Sequence, residues 1–440
     1  MKTRSFGGGI HPPDKKTLSR NAQIEVLPAG ERLVLPLHQH LGAPAELLVK
    51  KGDRVFKGQK IGAAKGFVSV PVHASVSGKV RAVGDYVSPM GRSVLSVTIE
   101  NDGNDELFPE IRPLKNDVLD HTPDEVRTAV REAGIVGLGG AAFPTAVKLS
   151  PPEDYPTKTL IINGAECEPY LTADYRLMLE DPDAVLAGAE VIAQTVGAGK
   201  IYLAIEDNKD DAILLFEKKL KGKADFEVVA LKTKYPQGYE KALIKALLGM
   251  EVPKGGLPLH VGVLVQNVGT TCAVYQTLKT GLPLIERCLT VTGEGIRLKK
   301  NLTARIGTLF RDIIDYCGGY VGNPGKLIMG GPMMGISQWT DEIPVVKGTS
   351  GILVIPEEKL QTAEAYNCIH CTNCSTYCPM HLVPTRLATL TRFSRLEDAQ
   401  AWGLMDCMEC GTCSYVCPAK IPLVQWMRTG KSEVLKRKAK

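Results

Sequence analysis

The 440 residues predict a multidomain α/β fold. Three observations carry that expectation. Short strands punctuated by glycine turns fill residues 33–100. Beyond them a helix, a glycine loop and an apolar strand at 160–162 lead into a polar turn. Near the carboxyl end, two cysteine runs bracket a segment of helical period. The length exceeds what one core organises, and four units are expected, at 1–112, 113–283, 284–357 and 358–440. Hydrophobic content of 44% and charged content of 23% are ordinary for a soluble chain. The net charge of +5 is too mild for a nucleic-acid footprint, so no nucleic-acid partner is expected. "MKTRSFGGGIHPP" lacks the apolar region of a signal peptide, and no run of 18 apolar residues suggests a transmembrane helix.

In the amino-terminal unit, "KGDRVFKGQKIG" followed by "HASVSGKV" resembles the biotinyl/lipoyl-type barrel-sandwich fold. Carriers of that family place a modified lysine at a hairpin tip. Here the tip reads "KGFVSVPV", with Phe67 and Val68 at that place and Lys65 outside the usual setting. The resemblance therefore implies an unmodified docking or structural domain.

The next stretch, "DEVRTAVREAGIVGLGGAAFPTAVKLS", contains a formal G-x-G-x-x-A match at Gly137, Gly139 and Ala142. A conventional dinucleotide fingerprint needs a strand immediately before its glycines. Val126, Val130 and Ala133 sit instead at helical spacing, behind a helix start at Pro123. A Rossmann site is thus not expected, although glycine-rich backbone still lets N–H groups approach a phosphate. "KTLIINGAECEPY" then runs a strand into a turn carrying Asn163, Glu166 and Glu168, the kind of sheet edge where ligands bind. Residues 286–335 read as strand, strand, helix, turn and strand, the helix ended by Gly318. "GGPMMG" reads there as a packed methionine pair in a glycine turn.

Eight of the 12 cysteines form two C-x2-C-x2-C-x3-C-P runs, "CIHCTNCSTYCP" and "CMECGTCSYVCP". Tetrahedral zinc usually draws on two separated pairs. Three thiolates on one tight loop suit three corners of an iron–sulfur cubane, and in two-cluster ferredoxins the fourth cysteine serves the other cluster. By that rule Cys368, Cys371 and Cys374 join Cys417, while Cys407, Cys410 and Cys413 join Cys378. Leu387, Leu390 and Phe393 give the intervening segment its helical period. Cys167, Cys272, Cys288 and Cys317 read as buried thiols, His370 and His381 as surface residues, and the basic end "KSEVLKRKAK" as a solvated helix end.

"GLGGAAFPTAVK" resembles the glycine loop of the flavoprotein (NADH-binding) subunit of respiratory complex I, and "NGAECEP" resembles that family's acidic turn. With "FGGGIHPP", the barrel-sandwich unit and the doubled cysteine run, essentially residues 1–430 resemble the RnfC/RsxC family of the Rnf-type electron-transport complex. The resemblance implies a non-standard α/β FMN/NADH domain, then a β-grasp (SLBB) domain, then a helical ferredoxin-type domain with two [4Fe–4S] clusters. By the same resemblance, Gly137, Gly139, Gly140 and Lys148 cradle FMN, and Asn163 and Glu166 touch the flavin. Glu168 stands near the nicotinamide, so Glu166 and Glu168 are the candidate catalytic carboxylates. Gly238 and Glu240 of "YPQGYEKAL" and Asn267 and Thr270 of "VQNVGTTCAVY" complete the cradle. Leu138, Ala165, Tyr239 and Gln266 depart from the family pattern, and Pro151 stands where the family has a phenylalanine stacked on the nicotinamide.

The implied activity is exchange of hydride between NAD(H) and FMN, with single electrons passing to or from the clusters and a ferredoxin-like partner subunit. The implied place is peripheral, on the cytoplasmic face of the membrane, in a complex whose other subunits move ions. Leu138, Ala165 and Tyr239 leave one alternative open, an iron–sulfur conduit with an empty flavin cleft.

Overall fold

The computed structural model describes residues 3–113, 115–360 and 364–438. The last two residues of the basic end lie outside the described residues; those before them continue a helix, Leu423–Lys438. Among the described residues, no helix is long and apolar enough to cross a membrane.

The barrel-sandwich unit is two antiparallel sheets facing each other. One runs in the order Arg32–Pro36, Ser93–Asn101, Gly78–Val87, Arg54–Val55; the other is Glu46–Leu47, Lys60–Ala63, Val72–His73. Strand alternation turns Leu33, Leu35, Val80, Val97 and Ile99 inward, where all are buried. At the hairpin tip Phe67 is exposed, with the Arg131 guanidinium 5.6 Å from its ring.

The next unit is an all-parallel sheet in the order Phe226–Leu231, Lys200–Glu206, Thr159–Gly164, Val263–Asn267. The chain builds outward from the Thr159–Gly164 strand, then crosses back to lay the last strand on its other side. That reversal is a topological switch point, and it places a crevice at the carboxyl ends of the two neighbouring strands. Ahead of the sheet, the helix Pro123–Glu132 starts at a capping box between Thr122 and Glu125. The core of this unit is continuous with that of the barrel.

A six-stranded mixed sheet follows, ordered Ile24–Val26, Lys300–Arg305, Glu286–Thr292, Gly351–Pro356, Pro324–Met329, Ile336–Gln338. Its first strand comes from the amino terminus and pairs parallel with Lys300–Arg305. Residues 3–31 therefore form a strap outside the barrel. The carboxyl-terminal unit is helical, with Pro384–Arg392 packed on Leu423–Lys438. Leu387 and Leu390 are buried as their period predicts, but Phe393 ends its helix at the C-cap and is 69% exposed. The period stops where the helix does, so Phe393 belongs to a turn rather than to the apolar face.

Candidate cofactor sites

At the switch point Asn163 and Asn267 stand directly opposite each other, each near the carboxyl end of its strand. Asn267 is also the N-cap of the helix Val268–Thr280: its Oδ1 accepts from the N–H groups of Gly269 (2.9 Å) and Thr270 (3.2 Å). Its Nδ2 donates to Asp174 Oδ2 at 2.6 Å. The glycine loop lies across this helix start. Leu138 N–H donates to Thr270 Oγ1 at 2.9 Å, and Gly137 N–H to the Phe143 carbonyl at 2.8 Å. A Cβ on Gly139 would stand 2.9–3.0 Å from the Asn267 side chain, so only glycine allows this approach. Gly140 faces open space. Among the described residues, the N–H groups of Gly139, Gly140 and Ala141 have no backbone or side-chain acceptor.

Asn163 Nδ2 donates to the Gly238 carbonyl at 2.8 Å, which brings the "YPQGYEKAL" turn to the same edge. Lys148 Nζ lies 3.4 Å from both Glu240 Oε2 and the Val265 carbonyl. Gly137, Gly139, Gly140, Asn163, Gly238, Asn267 and Thr270 are thus brought together, with Lys148 and Glu240 paired beside them. Free N–H groups across the start of a 13-residue helix, with Lys148 reaching the strand that leads into that helix, suit the phosphate of a flavin mononucleotide.

The two carboxylates of the acidic turn are held otherwise. Glu166, at φ 46°, turns back so that its Oε1 accepts from Asp174 N–H at 2.7 Å, at the start of the helix Ala173–Glu180. Glu168 reaches across to the "GGPMMG" turn and accepts from the N–H groups of Met333 (3.2 Å) and Met334 (2.7 Å). Burial pushes its carboxyl up to about 7, against those two donors. Burial, and next the Glu166 charge, also raise Asp174.

Four charged groups that sequence reasoning missed hold this turn and the glycine loop in place. Buried Lys16 donates to the carbonyls of Glu166 (2.8 Å), Glu168 (3.1 Å) and Leu171, with Glu166 Oε2 at 3.8 Å. Buried Lys209 donates to the Ala165 carbonyl at 2.7 Å and to Glu206 at 3.3 Å. Arg287, from the six-stranded sheet, donates to the Leu138 carbonyl at 2.6 Å. Asp174 completes the set through Asn267. Only Asp174 had a local signal, as an acid in the first turn of a helix; the others act across distances no window of sequence spans.

The cysteine runs repeat their backbone as well as their spacing. In each, the residues two and four past the first cysteine have positive φ: His370 (56°) and Thr372 (63°), Glu409 (59°) and Gly411 (78°). The first of each pair turns its N–H onto a sulfur, His370 onto Cys368 and Glu409 onto Cys407, at 3.4 Å each. Cys378 from the first run joins Cys407, Cys410 and Cys413 around one cavity. Cys374 and Cys417 are buried, whereas Cys368 and Cys371 are exposed. Repeated N–H to sulfur contacts around crowded thiols fit iron–sulfur clusters. Of the scattered cysteines, Cys272 and Cys317 are buried and Cys167 and Cys288 half-buried. His370 and His381 are exposed.

The chain is 46% identical over 440 residues to the C subunit of the Na(+)-translocating ferredoxin:NAD(+) oxidoreductase complex of Acetobacterium woodii, covering 100% of this chain and 99% of that one. It belongs to the RnfC family of ion-translocating oxidoreductase complexes. The proton-translocating counterpart of Clostridium ljungdahlii is 47% identical over 98% of this chain and 94% of its own. The C subunit of the ion-translocating oxidoreductase complex of Rhodobacter capsulatus is 42% identical over 100% and 85%. Family models match in order along the chain: an RnfC barrel-sandwich hybrid domain at 4–104, a Nuo51 FMN-binding domain at 130–276, an SLBB domain at 289–337 and a 4Fe-4S dicluster domain at 361–418. As a member of this family the chain is one component of a multi-subunit electron-transport complex, with FMN and two [4Fe–4S] clusters as its cofactors. The FMN-domain match does not favour the empty-cleft conduit.

Proposed function

We propose that this protein is where nicotinamide meets a membrane-bound ferredoxin:NAD+ oxidoreductase complex, at the cytoplasmic face of the membrane. The observation that carries the reading is the pair Asn163–Asn267 beneath the free N–H groups of Gly139–Ala141. Bound FMN supplies the chemistry, exchanging hydride with NAD(H) and single electrons with the clusters. The chain's own residues bind and orient. Gly139, Gly140 and Ala141 present N–H groups to the phosphate, and Lys148 adds charge beside them. Asn163, Gly238, Asn267 and Thr270 would form the edge offered to the flavin. Glu166 and Glu168 act by fixing the acidic turn, one capping a helix and the other tied to the SLBB domain, and by the family resemblance that turn would border the nicotinamide. Cys407, Cys410 and Cys413 with Cys378 would hold one cluster, and Cys368, Cys371 and Cys374 with Cys417 would hold the other. A ferredoxin-like partner in the complex exchanges electrons with them.

The test is an anaerobic NADH titration of the isolated chain loaded with FMN and clusters, read by absorbance and EPR. Bleaching of flavin absorbance followed by reduced-cluster signals is expected. Flavin that stays oxidised would place the nicotinamide site outside this chain alone. Failure to bind flavin at all would return the conduit reading.

A further inference from the structure

The amino-terminal strap reaches the place where the flavin turn meets a cysteine cage. Arg4 bridges Leu231 at the end of the parallel sheet. Gly9 N–H donates to the Tyr377 carbonyl at 2.9 Å, and Ile10 exchanges two backbone hydrogen bonds with Tyr235, each 2.8 Å. A Cβ on Gly8, at φ 71°, would stand 2.8 Å from the Cys378 carbonyl oxygen, so glycine is what lets the strap lie on that cysteine. Tyr235 is 1% exposed and donates its hydroxyl to the Cys410 carbonyl at 2.8 Å. Three residues on, Gly238 receives the Asn163 amide. Ile10, Tyr235 and Cys410 form a small buried cluster of their own, flanked by Cys167, Met333 and Met408.

We propose that Tyr235, clamped by the strap, is a positioning residue that fixes the cage of Cys378, Cys407, Cys410 and Cys413 against the flavin-binding edge. Its backbone pairs with the strap three residues ahead of Gly238 and its hydroxyl holds Cys410, so one residue links the two sites. The assignment rests on the function proposed above. Neither hydride nor proton passes through the phenol. Its hydrogen bond is made to the Cys410 carbonyl and not to a sulfur: it orients that peptide, and the hydroxyl proton placed beside the cage favours the more negative, reduced form of a cluster held there.

The experiment is Tyr235→Phe in the full chain with FMN and clusters bound, which keeps the shape and removes one hydrogen bond. FMN and iron contents stay at the parent level. In an EPR-monitored redox titration, the reduced-to-oxidised ratio of one cluster at fixed potential falls, by at most about fivefold, the equilibrium equivalent of one whole neutral hydrogen bond. Hydrogen exchange rises across residues 407–411 while the sheet strands keep their protection. After mixing with NADH, cluster reduction slows relative to flavin bleaching. Gly8→Ala should give the same pattern from the strap side, with Gly7→Ala, where a Cβ meets only ordinary contacts at 3.6 Å and beyond, as the control. Parent-like potential and exchange in both Tyr235→Phe and Gly8→Ala would overturn the proposal, as would equal slowing of bleaching and cluster reduction. If NADH leaves the parent's flavin oxidised, the proposed function fails, while potential and exchange still decide the role of Tyr235.

Discussion

Lys16 shows how one residue shapes the site without touching a cofactor. Its ammonium is buried, and burial lowers its pKa, yet three carbonyls and the Glu166 carboxylate converge on it. Removing one member of a buried charge group costs about 3–5 kcal/mol, because the partner is left unpaired. Lys16→Met is therefore expected to lower stability by that amount in chemical denaturation and to reduce bound flavin, since the acidic turn loses its anchor. Glu168 carries a pH dependence. Its folded-state value of about 7 stands above the ordinary 4.5, so the neutral form favours the fold. That contribution is complete below pH 4.5 and is lost as pH rises through about 7, a loss of about 3 kcal/mol by pH 8. Thermal unfolding at pH 5 and pH 8 should differ less in Glu168→Gln than in the parent; an equal difference would remove Glu168 as the source.

Among the elements, the helix Val268–Thr280 matters most, because its first turn carries Asn267 and Thr270. It packs on Pro182–Val196 through Gly188, where a Cβ would stand 2.3 Å from the Thr271 carbonyl oxygen. Glycine to alanine inside a helix ordinarily gains up to about 1 kcal/mol. Here overpacking of about 1–3 kcal/mol opposes that gain. Gly188→Ala is expected to lower the melting temperature and, by shifting the Asn267 cap, to weaken flavin binding measured by fluorescence quenching. The helix start at Pro123 and the strand over 160–162 were legible in the sequence, since each rests on neighbours within a few residues; the capping box at Thr122 and the strand's full span, Thr159–Gly164, came from the structure. Phe393 was misread for a related reason: periodicity marks a face but not where the helix stops.

At the scale of the whole molecule, the strap crosses the parallel sheet, the cysteine unit and the six-stranded sheet in its first 26 residues. The carboxyl-terminal core includes Cys374, Cys413 and Cys417, so cluster ligation and packing are one event there. Stripping iron with a chelator should raise hydrogen exchange throughout residues 364–438 while the parallel sheet keeps its protection and its flavin. Loss of protection across the whole chain would instead make the cysteine unit inseparable from the rest.

Local chemistry is written in the order of the residues: the spacing of the cysteine runs, the glycine loop, the strand entering an Asn–carboxylate turn, and so the cofactor classes. These signals are legible because ligand spacing, close backbone approach and periodicity are properties of a few adjacent residues. How the sites are held and joined emerges from the packed chain alone. Lys16 meets the acidic turn across 150 positions, Glu168 meets the Met333 turn across 165, and Tyr235 meets Cys410 across 175. Each of those contacts depends on burial and on chain crossings, which exist only once four units have packed together.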